Sequence, residues 1–98
     1  CTAIRRAFVP ATHFDAVAQA VSARLAKTVV GNPRNESVRM GALVSREQLA
    51  SVQSSLAALR AQTRCLFDGA NVPLVDADPA IAACIGPTSR HADALRRP

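Results

Sequence analysis

Two apolar stripes at helical spacing, separated by a Gly-Asn-Pro break, constrain this chain more than any other feature. Phe14, Val17, Ala18, Val21 and Leu25 follow one another at spacings of 3, 1, 3 and 4, which lays them along one face of a helix. Thr12 stands ahead of them as a cap, and Asp15 three residues on can close a capping box. The pattern predicts a helix over residues 13–28. Gly31 then supplies a left-handed stop, and Pro33 biases Asn32 to extended backbone. Leu49, Val52, Leu56 and Leu59 repeat the stripe at spacings of 3, 4 and 3. Ser45 caps this second run, with Gln48 in the third-position slot of its box, and the helix is predicted over 46–62.

The strand signals are short. Ile4, Phe8 and Val9 before Pro10 read as a strand over 4–9, Cys65-Leu66-Phe67 before Asp68-Gly69 as one over 64–67, and Ala82 to Ile85 before Gly86-Pro87 as one over 82–85. Residues 31–44 and 71–81 read as loops, and the Arg-rich tail from Thr88 shows no period. The expected order is strand, helix, helix, strand, strand, an α/β arrangement with too few strands for a self-sufficient sheet. Composition sharpens this point. Of the 98 residues 20 are Ala and only Phe8, Phe14 and Phe67 are aromatic. Alanine favours helix but fills little core volume. Such a chain is expected to need apolar surface from elsewhere, and to self-associate into a homo-oligomer through an exposed face or strand edge.

Twelve Lys and Arg against seven Asp and Glu give a net charge of +5. The basic residues are spread from Arg5 to Arg97 without a run longer than two, and no aromatic platform accompanies them. They read as a solvated surface, with no nucleic-acid partner expected. Three cysteines cannot all pair in one chain, and neither a Cys-x-x-Cys nor a Cys/His pair at metal spacing occurs, so no metal site is expected. His13 and His91 stand alone in sequence and read as ordinary surface or helix-start residues. The odd cysteine count suits a reducing compartment, here a cytoplasmic one, and no apolar run is long enough to span a membrane. The chain opens on Cys without an initiator Met, which reads as a processed product or a piece of a longer protein.

Cys1 carries three explanations by its residue type and position. It is an incidental cysteine, a nucleophile exposed by self-cleavage with its own amine as base, or a nucleophile inside a longer enzyme. Arg5 and Arg6 stand nearby and positive charge lowers a thiol pKa, but in an extended segment at most one of them shares the thiol's face. Spacing does not choose among the three. Three functional classes stay open accordingly: an enzyme fragment, an amino-terminal-nucleophile hydrolase, and a small basic interaction module.

The residues around Cys1 add a resemblance. Cys1-Thr2-Ala3-Ile4-Arg5-Arg6-Ala7-Phe8-Val9-Pro10 resembles the segment that begins at the nucleophilic cysteine of the aldehyde dehydrogenase superfamily. Val29-Val30-Gly31-Asn32-Pro33 looks like that family's helix exit, and Met40 to Gln48 looks like its Gly-(Pro)-Leu-Ile-plus-Gln element. Leu66 to Gly69 is similar to the strand before its Gly pair, and Pro87-Thr88 to the Pro-Thr after the next strand. Cys-Thr-Ala-Ile-Arg-Arg looks most like the dehydrogenase part of the bifunctional ring-opening proteins of phenylacetate degradation. Departures from the pattern are Ala42 in place of the Pro between Gly41 and Leu43, Gly69-Ala70 in place of a Gly pair, and Ser89-Arg90 where apolar residues are usual. The Glu-x-Phe-Gly-Pro motif of the family does not occur in the 98 residues.

The resemblance implies that residues 1–98 are part of a three-layer αβα catalytic domain. It implies an aldehyde substrate, NAD or NADP as hydride acceptor, Cys1 as catalytic nucleophile, and Gln48 as a contact of the cofactor's nicotinamide ribose. Gln48 is also the capping-box partner of Ser45, and the two roles compete for one amide. Arg6 is implied to be structural, pairing with a carboxylate or packing behind the site. The general base, the side-chain oxyanion donor and the nucleotide-binding fold are implied to lie outside these residues, so the 98 residues alone are expected to be inactive.

Overall fold

The computed structural model describes residues 2–92. Cys1 and the tail from residue 93 lie outside the described residues. The elements are a short 3-10 turn Ala11–His13, helix α1 (Phe14–Ala26), helix α2 (Arg46–Arg60), strand β1 (Arg64–Asp68) and strand β2 (Thr88–His91). The chain thus mixes helix and strand; the expected first strand is absent, and the last strand lies at 88–91 and not at 82–85.

Helix α2 forms as its sequence asks. Ser45 is extended, and its Oγ accepts the Gln48 backbone N–H at 3.0 Å, satisfying one of the helix's unpaired first-turn donors. Leu49 is buried with Ala83 and Ile85, and Leu43, Val52, Leu56 and Ala70 pack around them. Helix α1 departs from its predicted start. Thr12 falls inside the 3-10 turn, His13 takes the cap position, and no side-chain cap bond forms there. The capping box of Thr12 and Asp15 is therefore not made: once Thr12 has turned into the 3-10 coil, it no longer precedes the first helical residue. No residue of α1 is buried. Phe14, Ala18, Ser22 and Leu25 are the half-covered face, while Val17 and Val21 remain 36% and 41% exposed.

Strand β1 pairs with β2, antiparallel, setting Arg64 opposite His91, Cys65 opposite Arg90, Phe67 opposite Ser89 and Asp68 opposite Thr88. Leu66 is the extra residue of a bulge between the two middle pairs. Its carbonyl accepts the Ser22 hydroxyl at 3.3 Å, so the bulge ties α1 to the sheet. Phe14 also meets the ring of His91, with centroids 4.3 Å apart.

Two predicted strands are corrected. Residues 4–9 form no strand: Ile4 and Phe8 are 87% and 77% exposed, and without a neighbouring ladder an extended segment has no backbone partners. Residues 82–85 are also outside any strand. Ala83 and Ile85 alternate inward against Leu49, but the ladder opposite β1 is taken by Thr88–His91, in the tail where no period was visible. Gly86 and Gly69 permit that switch. A Cβ on Gly86 would overlap the Gly69 carbonyl oxygen and come within 2.9 Å of Val72 Cγ1. The Gly69 N–H donates to Pro87 O at 3.0 Å across the same crossing.

The loop readings also miss a small ladder. Val30 bridges Met40 and Gly31 bridges Val75, both parallel. Gly31 N–H donates to Met40 O at 3.0 Å, and Val75 N–H to Val30 O at 2.9 Å. Val30 is the most deeply buried side chain, 1% exposed. Gly31 is required here because a Cβ would run into the Val75 backbone. The Asn35 amide donates to the Asp76 carboxylate at 2.6 Å and closes the loop beyond.

Candidate active site

Of the two residues expected to act on substrate and cofactor, one is within the described part. Cys1 lies outside it. Gln48 sits in the first turn of α2 and is exposed. The cap uses its backbone N–H, so the bond to Ser45 Oγ does not consume the side-chain amide. The competition expected between the two roles is thus relieved by the backbone.

Around Gln48 the first turn of α2 is bound to the segment 79–83. Arg46 Nη1 donates to Ala82 O at 3.1 Å and to Pro79 O at 3.3 Å. Leu43 N–H donates to Ala83 O at 2.8 Å. Sequence reading passed over Arg46. The signal was a cation at the first position of a helix, where the peptide dipoles disfavour positive charge.

Among the described residues no carboxylate pairs with Arg6, one of the two structural roles expected of it. Arg6 is exposed, and the ion pair among the described residues is Arg60 with Asp68, at 2.9 Å. Among the described residues, Asp68 is the group whose acidity the fold changes. The Ala70 backbone N–H bonded to its carboxylate, helped by Arg60 and Arg90, holds it below the ordinary value of 3.8, against a smaller opposing effect of desolvation. Arg90 is itself bound across the sheet end, donating to Thr63 Oγ1 at 2.7 Å and Thr63 O at 3.1 Å.

Among the described residues two shallow clefts stand out. One, of about 420 Å³, is lined by Ala61, Gln62, Thr63, Arg64 and His91, at the far end of α2 from Gln48. The other, of about 200 Å³, lies between Gln53, Leu56, Arg60, Ala70, Asn71 and Ile85. Neither includes Gln48 in its lining. Among the described residues there is no group of three His, Cys, Asp or Glu side chains that could hold a metal, and no helix long and apolar enough to cross a membrane. Cys65 is exposed and Cys84 half-buried, both as free thiols.

The chain is a member of the aldehyde dehydrogenase family, whose model matches residues 1–89. Among curated relatives, the 3,4-dehydroadipyl-CoA semialdehyde dehydrogenase of Aromatoleum evansii is 47% identical over 94 residues, which is 95% of this chain and 18% of that protein. The chain therefore spans less than a fifth of the length of this relative.

Proposed function

We propose that these 98 residues are part of the three-layer αβα catalytic domain of an NAD- or NADP-dependent aldehyde dehydrogenase, with Cys1 as its nucleophile. The observation that carries the reading is the family match over residues 1–89, and the likeness of residues 1–10 to the family's nucleophile segment supports Cys1 in that role. A thiolate at Cys1 adds to the aldehyde carbon and gives a thiohemiacetal. Loss of hydride from that carbon leaves a thioester, and water releases the acid and the thiol. A thiol suits both halves, because it is a soft nucleophile and then a good leaving group.

The nicotinamide cofactor, when bound, accepts the hydride. The donors in the described residues fit one small part of it. The exposed Gln48 carboxamide can both donate to and accept from a ribose hydroxyl. In this reading the nucleotide-binding fold, and with it the diphosphate, lies outside these residues, as the likeness to the family implies. Gln48's contribution is to orient the ribose. The aldehyde we propose is a semialdehyde carried on coenzyme A, supported by the name of the Aromatoleum relative. The likeness of Cys-Thr-Ala-Ile-Arg-Arg to the ring-opening proteins of phenylacetate degradation supports that pathway as the setting. The 98 residues by themselves are inactive in this reading. The intact enzyme is a cytoplasmic homo-oligomer, a reading supported by the apolar surface left open at Ile4, Phe8, Val44 and Ile81.

The test is formation of reduced nicotinamide, followed by absorbance, with an acyl-CoA semialdehyde as substrate. The intact enzyme is expected to turn over, and Cys1→Ser in it to abolish turnover. The 98-residue chain is expected to show none, since a lost oxyanion donor alone costs about 10²–10³ in rate. Full activity in Cys1→Ser would reject Cys1 as the nucleophile. Turnover by the short chain would reject its incompleteness.

A further inference from the structure

Arg46 is placed where its charge is least welcome. It is the first residue of α2, at the positive end of the peptide dipoles. A cation there needs compensation, and the structure supplies it from across the chain: Nη1 donates to Ala82 O at 3.1 Å and Pro79 O at 3.3 Å. These carbonyls belong to a segment 33 and 36 residues away in sequence. The same segment accepts the Leu43 N–H through Ala83 O, and Ala83 packs on Leu49. Arg46 therefore adds a polar clamp to the outer edge of an apolar contact. It fixes the first turn of α2 in place. Gln48, two residues on, is exposed, so no cover holds it; its position depends on the turn that carries it.

We propose that Arg46 is a positioning residue for Gln48, setting the first turn of α2 against residues 79–83 so that the Gln48 amide meets the cofactor ribose. This rests on the proposed role of Gln48. In this proposal Arg46 acts through the turn and not on the reacting atoms.

The test uses the intact enzyme with Arg46→Ala, Arg46→Lys, Gln48→Ala and the double variant Arg46→Ala/Gln48→Ala. The readouts are KM for the nicotinamide cofactor, KM for the aldehyde, and kcat. Arg46→Ala is expected to raise the cofactor KM by roughly fivefold, well below the ~100-fold that a 1 Å misplacement of reacting groups can cost. The aldehyde KM is expected to stay unchanged. Arg46→Lys is expected to recover part of the loss, because an ammonium can still donate to a carbonyl. The double variant is expected to match Gln48→Ala, the non-additivity of two residues acting through one contact. If Gln48→Ala raises the cofactor KM and Arg46→Ala does not, the clamp is overturned and the Gln48 reading stands. If Gln48→Ala changes nothing, the Gln48 reading fails and the clamp's purpose with it. Additive effects, or an Arg46→Ala loss shared equally by both KM values and kcat, would make Arg46 a general stabiliser and overturn the proposal.

Discussion

Helices α1 and α2 are nearly equal in length and both carry an apolar stripe, yet they end up in different states. Leu49 of α2 is 6% exposed and anchors a cluster with Ala83 and Ile85, whereas α1 buries nothing and leaves Val17 and Val21 open. Their starts differ in the same direction. Ser45 makes its cap bond and Thr12 does not. The difference teaches that a stripe specifies a helix but not a burial partner. Helix α2 finds one in the segment 82–86, returned to it by the glycine crossing at Gly69 and Gly86. Helix α1 meets the sheet through Ser22, which donates to the Leu66 carbonyl of β1, and through Phe14, which lies against the His91 ring of β2.

The sharpest way to break this contrast is truncation of one apolar side chain in each helix. Leu49→Ala is expected to destabilise by about 2–3 kcal/mol, at the low end for a core leucine because the cluster is small. Val21→Ala is expected to fall within about 0.5 kcal/mol of the parent, as for a surface substitution. Urea denaturation of both variants checks the pair. Equal losses would mean that α1 is buried after all.

The crossing that serves α2 comes next. Gly86→Ala would force its Cβ onto the Gly69 carbonyl, 2.8 Å from its carbon, and is expected to cost about 1–3 kcal/mol. Gly41→Ala is the control. Its Cβ would make an ordinary 3.4 Å contact with Pro33 Cγ, and its effect is expected within about 0.5 kcal/mol. Thermal melts of the two separate a backbone collision from the loss of glycine as such.

The caps give a smaller difference. Ser45→Ala removes the acceptor of the Gln48 N–H and is expected to cost about 1 kcal/mol. Thr12→Ala removes no cap bond and is expected to cost under about 0.5 kcal/mol. Helicity by circular dichroism across a denaturant series distinguishes them.

The smallest effect is that of Asp68, which joins α2 to β1 through Arg60. Its acidity is raised by the Ala70 N–H and by Arg60, so its folded pKa lies below 3.8. The stability it contributes is present above the ordinary carboxylate value and is lost as pH falls through the lower folded value. Its side chain and that of Arg60 are 35% and 41% exposed, so salt screens the pair and the contribution is small. Asp68→Asn is expected to lower neutral-pH stability slightly, to match the parent at pH well below the folded pKa, and so to flatten the acid limb below about pH 4. An unchanged acid limb would remove Asp68 from the account.

Some of this was settled by local chemistry. A stripe of four leucine and valine residues behind a serine is enough to make α2, because the periodicity and the cap are contained within the helix itself. Gly31 and Gly69 were legible only as turn residues; the backbone each leaves room for, at Val75 and Pro87, arrives from far along the chain. The β ladder was a different matter. Residues 82–85 are more apolar than 88–91, yet Thr88–His91 pairs with β1. Pairing depends on which segment arrives beside β1 after the turn at Gly86-Pro87, and that is fixed by a contact with Gly69 distant in sequence. Residues 4–9 failed as a strand for the matching reason: a strand is made by its neighbour. The candidate site divides along the same line. The residue types of Cys1 and Gln48, and the family they belong to, were legible in the sequence. That the Gln48 backbone makes the cap while its side chain is left exposed, and that Arg46 binds the turn to residues 79–82, depended on tertiary contacts between segments that no local pattern joins.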